Sequence, residues 1–174
     1  IESSRTFGYD YTELNQNGAL GYAIWEYYCW TGDIGLIKKH WPRIKVCLEL
    51  PLKEIFLDKN VHMVKNKREF WERSDLHGIE EGFEMAYQFW VAFGDEKGAE
   101  LAQLLGESST ERKWKDNAEK IKRAFLTDPK YQLIEDGHLI KRRTIDGRWQ
   151  RTATPPDRKR MPAGSQLATA EQPM

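Results

Sequence analysis

The chain of 174 residues has little cysteine, no excess of charge of either sign and no long apolar run. Its two cysteines, Cys29 and Cys47, fall in apolar helical stretches, which favours two buried free thiols over a disulfide. Lys plus Arg and Asp plus Glu number 27 each, so electrostatics gives no reason to expect a nucleic-acid partner. No apolar segment approaches the roughly 20 residues of a membrane span, so we expect no membrane partner either.

Metal-binding patterns are also missing. The four histidines are scattered without a partner four residues away, and there is no C-x-x-C pair. Such pairs are the common zinc ligands, so we predict that the protein uses no metal and no other cofactor.

The two ends of the chain carry no signal peptide and no terminal secondary-structure element. The chain begins at Ile1 rather than Met, and it closes on a tail containing Pro, Gly and Ala. We therefore expect an excerpt from a longer protein. The sequence leaves the compartment open, with the cytoplasm favoured.

Aromatic residues and carboxylates are plentiful, and they meet in residues 68–90, R-E-F-W-E-R-S-D-L-H-G-I-E-E-G-F-E-M-A-Y-Q-F-W. This segment holds six carboxylates, namely Glu69, Glu72, Asp75, Glu80, Glu81 and Glu84. An indole face can stack on a sugar ring, and an apolar wall raises a carboxyl pKa towards that of a general acid. The alternative is a solvated acidic loop that leads into a core helix.

Hydrophobic periodicity predicts a helical region over residues 14–126, which opens with a hairpin of two helices. Asn15 or Asn17 caps the first helix, and Gly32 ends it. Asp33 caps a second helix over 34–57, whose main segment begins at Pro42 and which bends at Pro51. The predicted buried stripes are Leu20, Ala23, Ile24, Tyr27 and Tyr28 in the first helix, and Ile37, Trp41, Ile44, Cys47, Leu48 and Leu52 in the second.

A long connection over 58–78 separates this hairpin from three further helices. The third helix is predicted over 79–93, with Glu80, Glu81 and Glu84 at the positive end of its dipole. Gly94-Asp95 breaks it before a shorter helix over 96–105. Ser109 or Thr110 then caps a helix that reaches residue 126, with Trp114, Ala118, Ile121 and Phe125 buried.

The pattern changes after the helices. A β-hairpin is predicted over 131–142, turning at Asp136-Gly137, and residues 143–174 read as an irregular tail. The basic runs at 141–143 and 158–160 are expected to be solvated. All of these segments belong to a single domain over 1–174.

Several segments, in order, resemble the six-hairpin glycosidases, most closely the glucoamylase family. Residues 13–33, E-L-N-Q-N-G-A-L-G-Y-A-I-W-E-Y-Y-C-W-T-G-D, resemble that family's inner helix ending in a T-G-D turn, and L-I-K-K-H-W-P-R-I at 36–44 resembles the outer helix after it. F-W-E-R-S-D-L-H-G at 70–78 resembles the W-E-E loop that carries the general acid. Over roughly residues 7–145, the resemblance implies an all-α fold, part of an α/α toroid, with a small β-hairpin after the helices.

The resemblance also implies a glycoside hydrolase that acts with inversion and has Glu72 as its general acid. Trp71 is then the apolar wall or a sugar platform, and Arg73, which stands where the family has a second Glu, contacts hydroxyls. Asp75 and Glu80 are the reserve acids, and Asp75 is also a candidate substrate contact. His77 holds a hydroxyl or caps the loop. The catalytic base of such enzymes comes from a later loop.

In the first loop, Tyr9 and Asp10 are expected at the same end of the helices as Glu72, where they bind sugar hydroxyls or cap the helix. The implied partner is a carbohydrate substrate. An open piece of a toroid also exposes apolar helix faces, so self-association or contact with the rest of the parent chain is expected.

Two alternatives stay open. The chain could come from a catalytically inactive sugar-binding relative, because Arg73 replaces an acid and no base is visible. It could also be a helical-repeat module whose aromatic groove binds a protein. Long loops with Trp and carboxylates favour the enzyme, and the steady repeat period of such modules is missing.

Overall fold

The computed structural model describes residues 13–67, 78–153 and 172–173 of the chain. These residues form a mainly helical structure, as the sequence predicts. Its four α-helices are α1 (Leu14–Thr31), α2 (Ile34–Glu49), α3 (Met85–Leu104) and α4 (Ser108–Thr127). Helix α3 is central, because it packs along both α1 and α4, while α2 folds back beside α1 and also touches α3.

Small antiparallel sheets of two strands each accompany the helices. The strands are β1 (Leu57–Asp58), β2 (Met63–Val64), β3 (Gly82–Glu84), β4 (Ile134–Glu135), β5 (His138–Leu139), β6 (Arg142–Thr144), β7 (Thr152–Ala153) and β8 (Gln172–Pro173). Strands β4 and β5 form a hairpin that turns at Asp136 and Gly137, both with positive φ, which confirms the predicted turn. The β1–β2 hairpin begins at Leu57, the last residue of the predicted second helix, and continues into the connection predicted over 58–78. Strand β3 pairs with the distant β6.

The turn between α1 and α2 follows the sequence prediction. Gly32 ends α1 with a φ of 67°, and its N–H donates to the Tyr28 carbonyl over 2.8 Å. The Asp33 side chain accepts hydrogen bonds from the N–H groups of Gly35 and Leu36 at 2.9 and 3.1 Å. One carbonyl at the end of α1 and two N–H groups at the start of α2 therefore gain hydrogen-bond partners.

The predicted start of the helical region at residue 14 is confirmed, but the predicted caps of α1 are wrong. The helix begins at Leu14, and neither Asn15 nor Asn17 caps it. Asn15 is buried, and the Asn17 amide donates a 2.8 Å hydrogen bond to the carbonyl of Cys47 on α2. Asn17 thus connects the two helices instead of ending one of them.

The predicted end of α2 is also wrong. The helix runs without interruption through Pro42 and ends at Glu49, and turns follow from Pro51 to the start of β1. Pro51 has no N–H to donate to the Cys47 carbonyl, and the N–H of Leu50 bonds that carbonyl instead at 3.4 Å. The helix therefore stops at this proline and does not bend there.

Helix α3 is one continuous helix, so the predicted break at Gly94-Asp95 is wrong. Gly94 lies against Gly18 of α1, and a Cβ added to Gly94 would lie 2.4 Å from the Gly18 Cα. A Cβ on Gly18 would in turn lie 1.9 Å from the Trp90 carbonyl oxygen. These glycines let two helix backbones touch, which is a packing reason for glycine inside a helix.

The buried face of α1 is consequently its small-residue face. Leu14, Asn15, Gly18 and Gly21 are buried, whereas Leu20 and Tyr27 from the predicted stripe are exposed. The prediction gave weight to large apolar residues, but α3 lies so close to Gly18 and Gly21 that no large side chain fits at these two positions.

The predicted stripes of α2 and α4 agree better with the structure. Ile37, Trp41, Ile44 and Leu48 are buried on α2, and Trp114, Ala118, Ile121 and Phe125 are buried on α4. The rings of Trp41 and Trp114 meet edge to face with centroids 5.6 Å apart. Both predicted caps of α4 are wrong, because its N-cap position is Glu107, two residues before Ser109 and three before Thr110.

Two further expectations concern the cysteines and the bilayer. Cys29 and Cys47 are free thiols as predicted. Cys29 is exposed and Cys47 is only partly buried, so the predicted burial of both is wrong. Among the helices in the described parts of the chain, none combines the length and the hydropathy needed to cross a bilayer.

Replacing Gly94 with Ala tests the contact between α1 and α3. Because the added methyl group meets backbone atoms that cannot rotate away, we expect Gly94→Ala to lower the free energy of unfolding by about 2 kcal/mol. The control is Gly35→Ala, whose Cβ meets only the Asp33 side chain at 3.1 Å; it should change that energy by no more than about 1 kcal/mol. Urea denaturation measures the free energy of unfolding of both variants. Similar small decreases in the two variants would contradict a close backbone contact at Gly94.

Asp95 is a carboxyl within α3 that is 1% exposed. Asn117 on α4 donates a 2.5 Å hydrogen bond to it, and burial raises the pKa of Asp95 well above its usual value. An acid with a raised folded-state pKa costs stability as pH rises, because the unfolded state ionises first. The loss of stability begins near the pKa of this carboxyl group in the unfolded state and is complete above its pKa in the folded state.

We therefore expect Asp95→Asn to reduce the fall in unfolding free energy between about pH 4 and pH 7, because asparagine cannot ionise. Urea denaturation at several pH values measures this slope. The exposed Asp116→Asn serves as the matched control on α4. Parallel pH curves for wild type and Asp95→Asn would show that ionisation of Asp95 carries no such cost.

Candidate functional site

The site residues predicted from the sequence lie outside the described residues. They are Trp71, Glu72, Arg73, Asp75 and His77 in one segment, and Tyr9 and Asp10 in another. The structure does describe the chain on both sides of residues 68–77, up to Lys67 and again from Gly78. The geometry of these two flanks determines how the segment that contains Trp71 and Glu72 is attached.

The two flanks are paired with each other. Asn66 and Gly82 exchange two backbone hydrogen bonds, each 2.9 Å long, in an isolated antiparallel bridge. Gly82 also allows close approach of β6, because a Cβ there would lie 2.1 Å from the Arg143 carbonyl oxygen. The intervening chain therefore starts and ends at one place beside β3.

Arg142 of β6 connects both flanks with one guanidinium group. It donates to the Asn66 side-chain oxygen at 2.7 Å, to the Asn66 carbonyl at 2.5 Å and to the Glu80 carbonyl at 2.7 Å. The side chain is fully buried. A guanidinium offers five donors in a fixed plane, which suits several carbonyl groups of irregular backbone at once.

Gln150 adds a second connection to the later flank. Its amide nitrogen donates to the Gly78 carbonyl at 2.8 Å, and its oxygen accepts from the Glu80 N–H at 3.4 Å. We call the set of Asn66, Gly82, Arg142 and Gln150 the loop base. All four residues are buried.

The neighbouring Arg143 is buried as well, so the expectation of a solvated basic run over 141–143 is wrong for two of its three residues. Its guanidinium donates to the Gln132 carbonyl at 2.7 Å and pairs with the Glu135 carboxylate. Residues 158–160 lie outside the described residues. The β-hairpin is thereby attached to β6 by charged and polar groups.

The start of α3 lies next to the loop base. Gln88 is fully buried and exchanges two 2.7 Å hydrogen bonds with the backbone of Val64 in β2. Glu84 is 1% exposed, and it occupies the N-cap position in extended backbone, paired in register with Arg142. A carboxyl group is therefore buried beside the base of the loop.

The predicted placement of three carboxylates in the first turns of a helix is wrong. Glu80 and Glu81 precede β3, and Glu84 ends it. Glu80 is exposed and pairs with Arg148 over 2.7 Å, and this hydrogen bond raises the pKa of Arg148. Glu80, a reserve acid candidate, thus has a surface partner.

Sequence reasoning missed every residue of the loop base. Arg142 stands in a Lys-Arg-Arg run of the kind that is usually solvated, and Asn66 and Gln150 belong to no motif. The Asp136-Gly137 hairpin was the one available signal, because it directs the chain back towards the helices. What the arrangement offers is two flanks, at Asn66 and at residues 78–82, that buried polar groups hold together.

Arg142→Met tests whether the guanidinium holds the loop base. Removal of hydrogen bonds to a charged group, with carbonyls left buried, should lower the free energy of unfolding by about 3 kcal/mol or more. The amides of Asn66 and Gly82 should also exchange hydrogen faster. Arg148→Met is the control, since its ion pair with Glu80 is exposed and should contribute less than about 1 kcal/mol. Equal losses in both variants would contradict the role of Arg142.

Comparisons with known proteins identify no relative of this chain. The chain matches no family model, no curated protein and no solved structure. Any functional inference therefore depends on the residues themselves and on the geometry of the loop base.

Proposed function

We propose that the protein containing this chain is a glycoside hydrolase that cleaves glycosidic bonds with inversion, with Glu72 as its general acid. The observation that supports this proposal is the loop base. Arg142 and Gln150 hold both flanks of the segment that carries Trp71 and Glu72. Catalytic groups need such support, because small displacements from the productive geometry cost rate.

The surroundings of the loop base also suit a general acid. Ile79, Phe83 and Tyr87 are buried directly after the loop and at the start of α3. An apolar environment disfavours the charged form of a carboxyl group and raises its pKa. Glu72 follows Trp71 in the sequence, so an indole is available as one more apolar neighbour.

In the proposed reaction, protonated Glu72 gives its proton to the oxygen of the leaving sugar. A second carboxylate, about 6.5–9.5 Å from the first in inverting enzymes, removes a proton from the attacking water. That base belongs to another part of the protein. Trp71 stacks on the sugar ring, and the proposed hydroxyl contacts are Tyr9, Asp10, Arg73, Asp75 and His77.

The proposed substrate is an α-linked glucoside or a related sugar. Arg73 stands where an acid is expected, which keeps a sugar-binding protein without turnover as the second candidate. The two candidates differ in one measurable property, since only the enzyme releases a reducing sugar.

The test uses Glu72→Gln in the full-length protein. General acid catalysis contributes about 10²–10⁴-fold, so kcat on a natural disaccharide should fall by that factor. On a dinitrophenyl glucoside the loss should be much smaller, because this leaving group departs without protonation. Glu69→Gln, in the same acidic segment, is the matched control and should retain activity.

Three results would count against the assignment. Unchanged kcat in Glu72→Gln removes Glu72 from the mechanism. Equal losses on both substrates indicate a role other than proton donation. Sugar binding without any release of reducing sugar by the wild type favours the binding protein.

A further inference from the structure

A cleft of about 370 Å³ lies between the β1–β2 turn and the C-terminal half of α4. Its lining includes Val61 and His62 from the turn and Lys120, Arg123, Ala124 and Asp128 from α4 and the residue after it. This volume lies within the range of small-molecule sites. None of these residues belongs to the loop base.

His62 enters the cleft from an unusual backbone conformation. Its φ is 61°, in the left-handed region that residues other than glycine seldom adopt. Asp58 holds the turn, since its side chain accepts from the N–H groups of Asn60 and Val61 at 2.9 and 3.1 Å. The Asp58 carbonyl also accepts from the His62 N–H at 2.7 Å. Such a conformation persists only where the surroundings fix it, often at binding sites.

A buried polar chain fixes the His62 ring. Its Nε2 atom lies 3.0 Å from the Asn117 side-chain oxygen, and the Asn117 nitrogen donates to Asp95 at 2.5 Å. Because the Asn117 nitrogen is used by Asp95, the Asn117 oxygen faces His62 and accepts from Nε2–H. The second ring nitrogen, Nδ1, is thereby left for a ligand. Burial raises the pKa of Asp95, so the carboxyl group at the end of this hydrogen-bonded series stays uncharged over a wider pH range.

Two cations on one face of α4 complete the lining. Lys120 pairs with the exposed Asp116 at 2.6 Å, and Arg123 forms no ion pair with any of the described residues. The one acid of the lining, Asp128, uses Oδ1 to accept from the N–H groups of Lys130 and Tyr131 at 2.8 Å each. The guanidinium of Arg123 is therefore the available charge, and its two parallel N–H groups match an oxyanion.

From this arrangement we propose that the cleft binds an oxyanion, as a phosphate or carboxylate group of a small ligand. Arg123 forms the bidentate contact, and Lys120 adds charge. His62 Nδ1, which carries no hydrogen, accepts from a protonated ligand oxygen such as the P–OH of hydrogen phosphate, so a carboxylate ligand makes only the contacts to Arg123 and Lys120. The site is independent of the proposed hydrolase and does not require Glu72.

The test titrates the full chain with inorganic phosphate, and separately with acetate, at constant ionic strength while calorimetry and the His62 ring resonances are followed. Saturable binding is expected, and Arg123→Gln should weaken it about tenfold or more, because a charged hydrogen-bonded pair is lost. Arg112→Gln is the matched control, since Arg112 lies on the same helix outside the cleft and only contacts the Ser108 carbonyl. It should bind like wild type.

A second variant separates binding from folding. Lys120→Gln removes a charge of the cleft and only an exposed ion pair with Asp116, so the melting temperature should hold while binding weakens. Phosphate saturation that depends on Arg123 supports a phosphate ligand, and acetate saturation alone supports a carboxylate ligand. The proposal is overturned if neither probe saturates, or if Arg123→Gln and Arg112→Gln bind alike.

Discussion

The contact between Gly18 and Gly94 sets the spacing of α1 and α3, and the rest of the described structure is arranged around these helices. Because their backbones touch, α3 lies at the centre with α4 on its other side. Large side chains are excluded from this contact and gather elsewhere, notably at Trp41 and Trp114. Two glycines, which have no side chains, therefore determine where α3 lies. The loop base forms beside the start of this helix.

Polar groups, rather than apolar packing, then attach the irregular segments to this helical frame. Gln88 attaches β2 to α3, Arg142 attaches both flanks of the loop, and Asn117 attaches the β1–β2 turn through His62. Each of these side chains bonds groups that would otherwise be buried without a partner, which is costly. Short strands with few ladder hydrogen bonds can remain ordered in this way.

The sequence predicted the elements that depend on local chemistry. The Gly32 and Asp33 caps, the stripes of α2 and α4, and the Asp136-Gly137 turn follow from conformational preference and periodicity within a few residues. Prediction from the sequence failed where contact with a distant segment determines the local structure. Taken alone, Gly94 predicts a helix break, and its role in packing is visible only once Gly18 is known to face it. In the same way, Arg142 is expected to be solvated until the structure shows that carbonyl groups of residues 66 and 80 surround it.

The candidate site, too, could be predicted from the sequence only in part. The Trp71-Glu72 pair was recognisable from residue types, whereas the loop base was not, because its members come from three separate stretches of chain. Arg142 also lies beyond α4 in the sequence. During synthesis, α1, α2, α3 and α4 can therefore dock before the group that fixes the loop has been made. The flanks at Asn66, Gly78 and Glu80 acquire their side-chain partners only after the chain has reached residue 150.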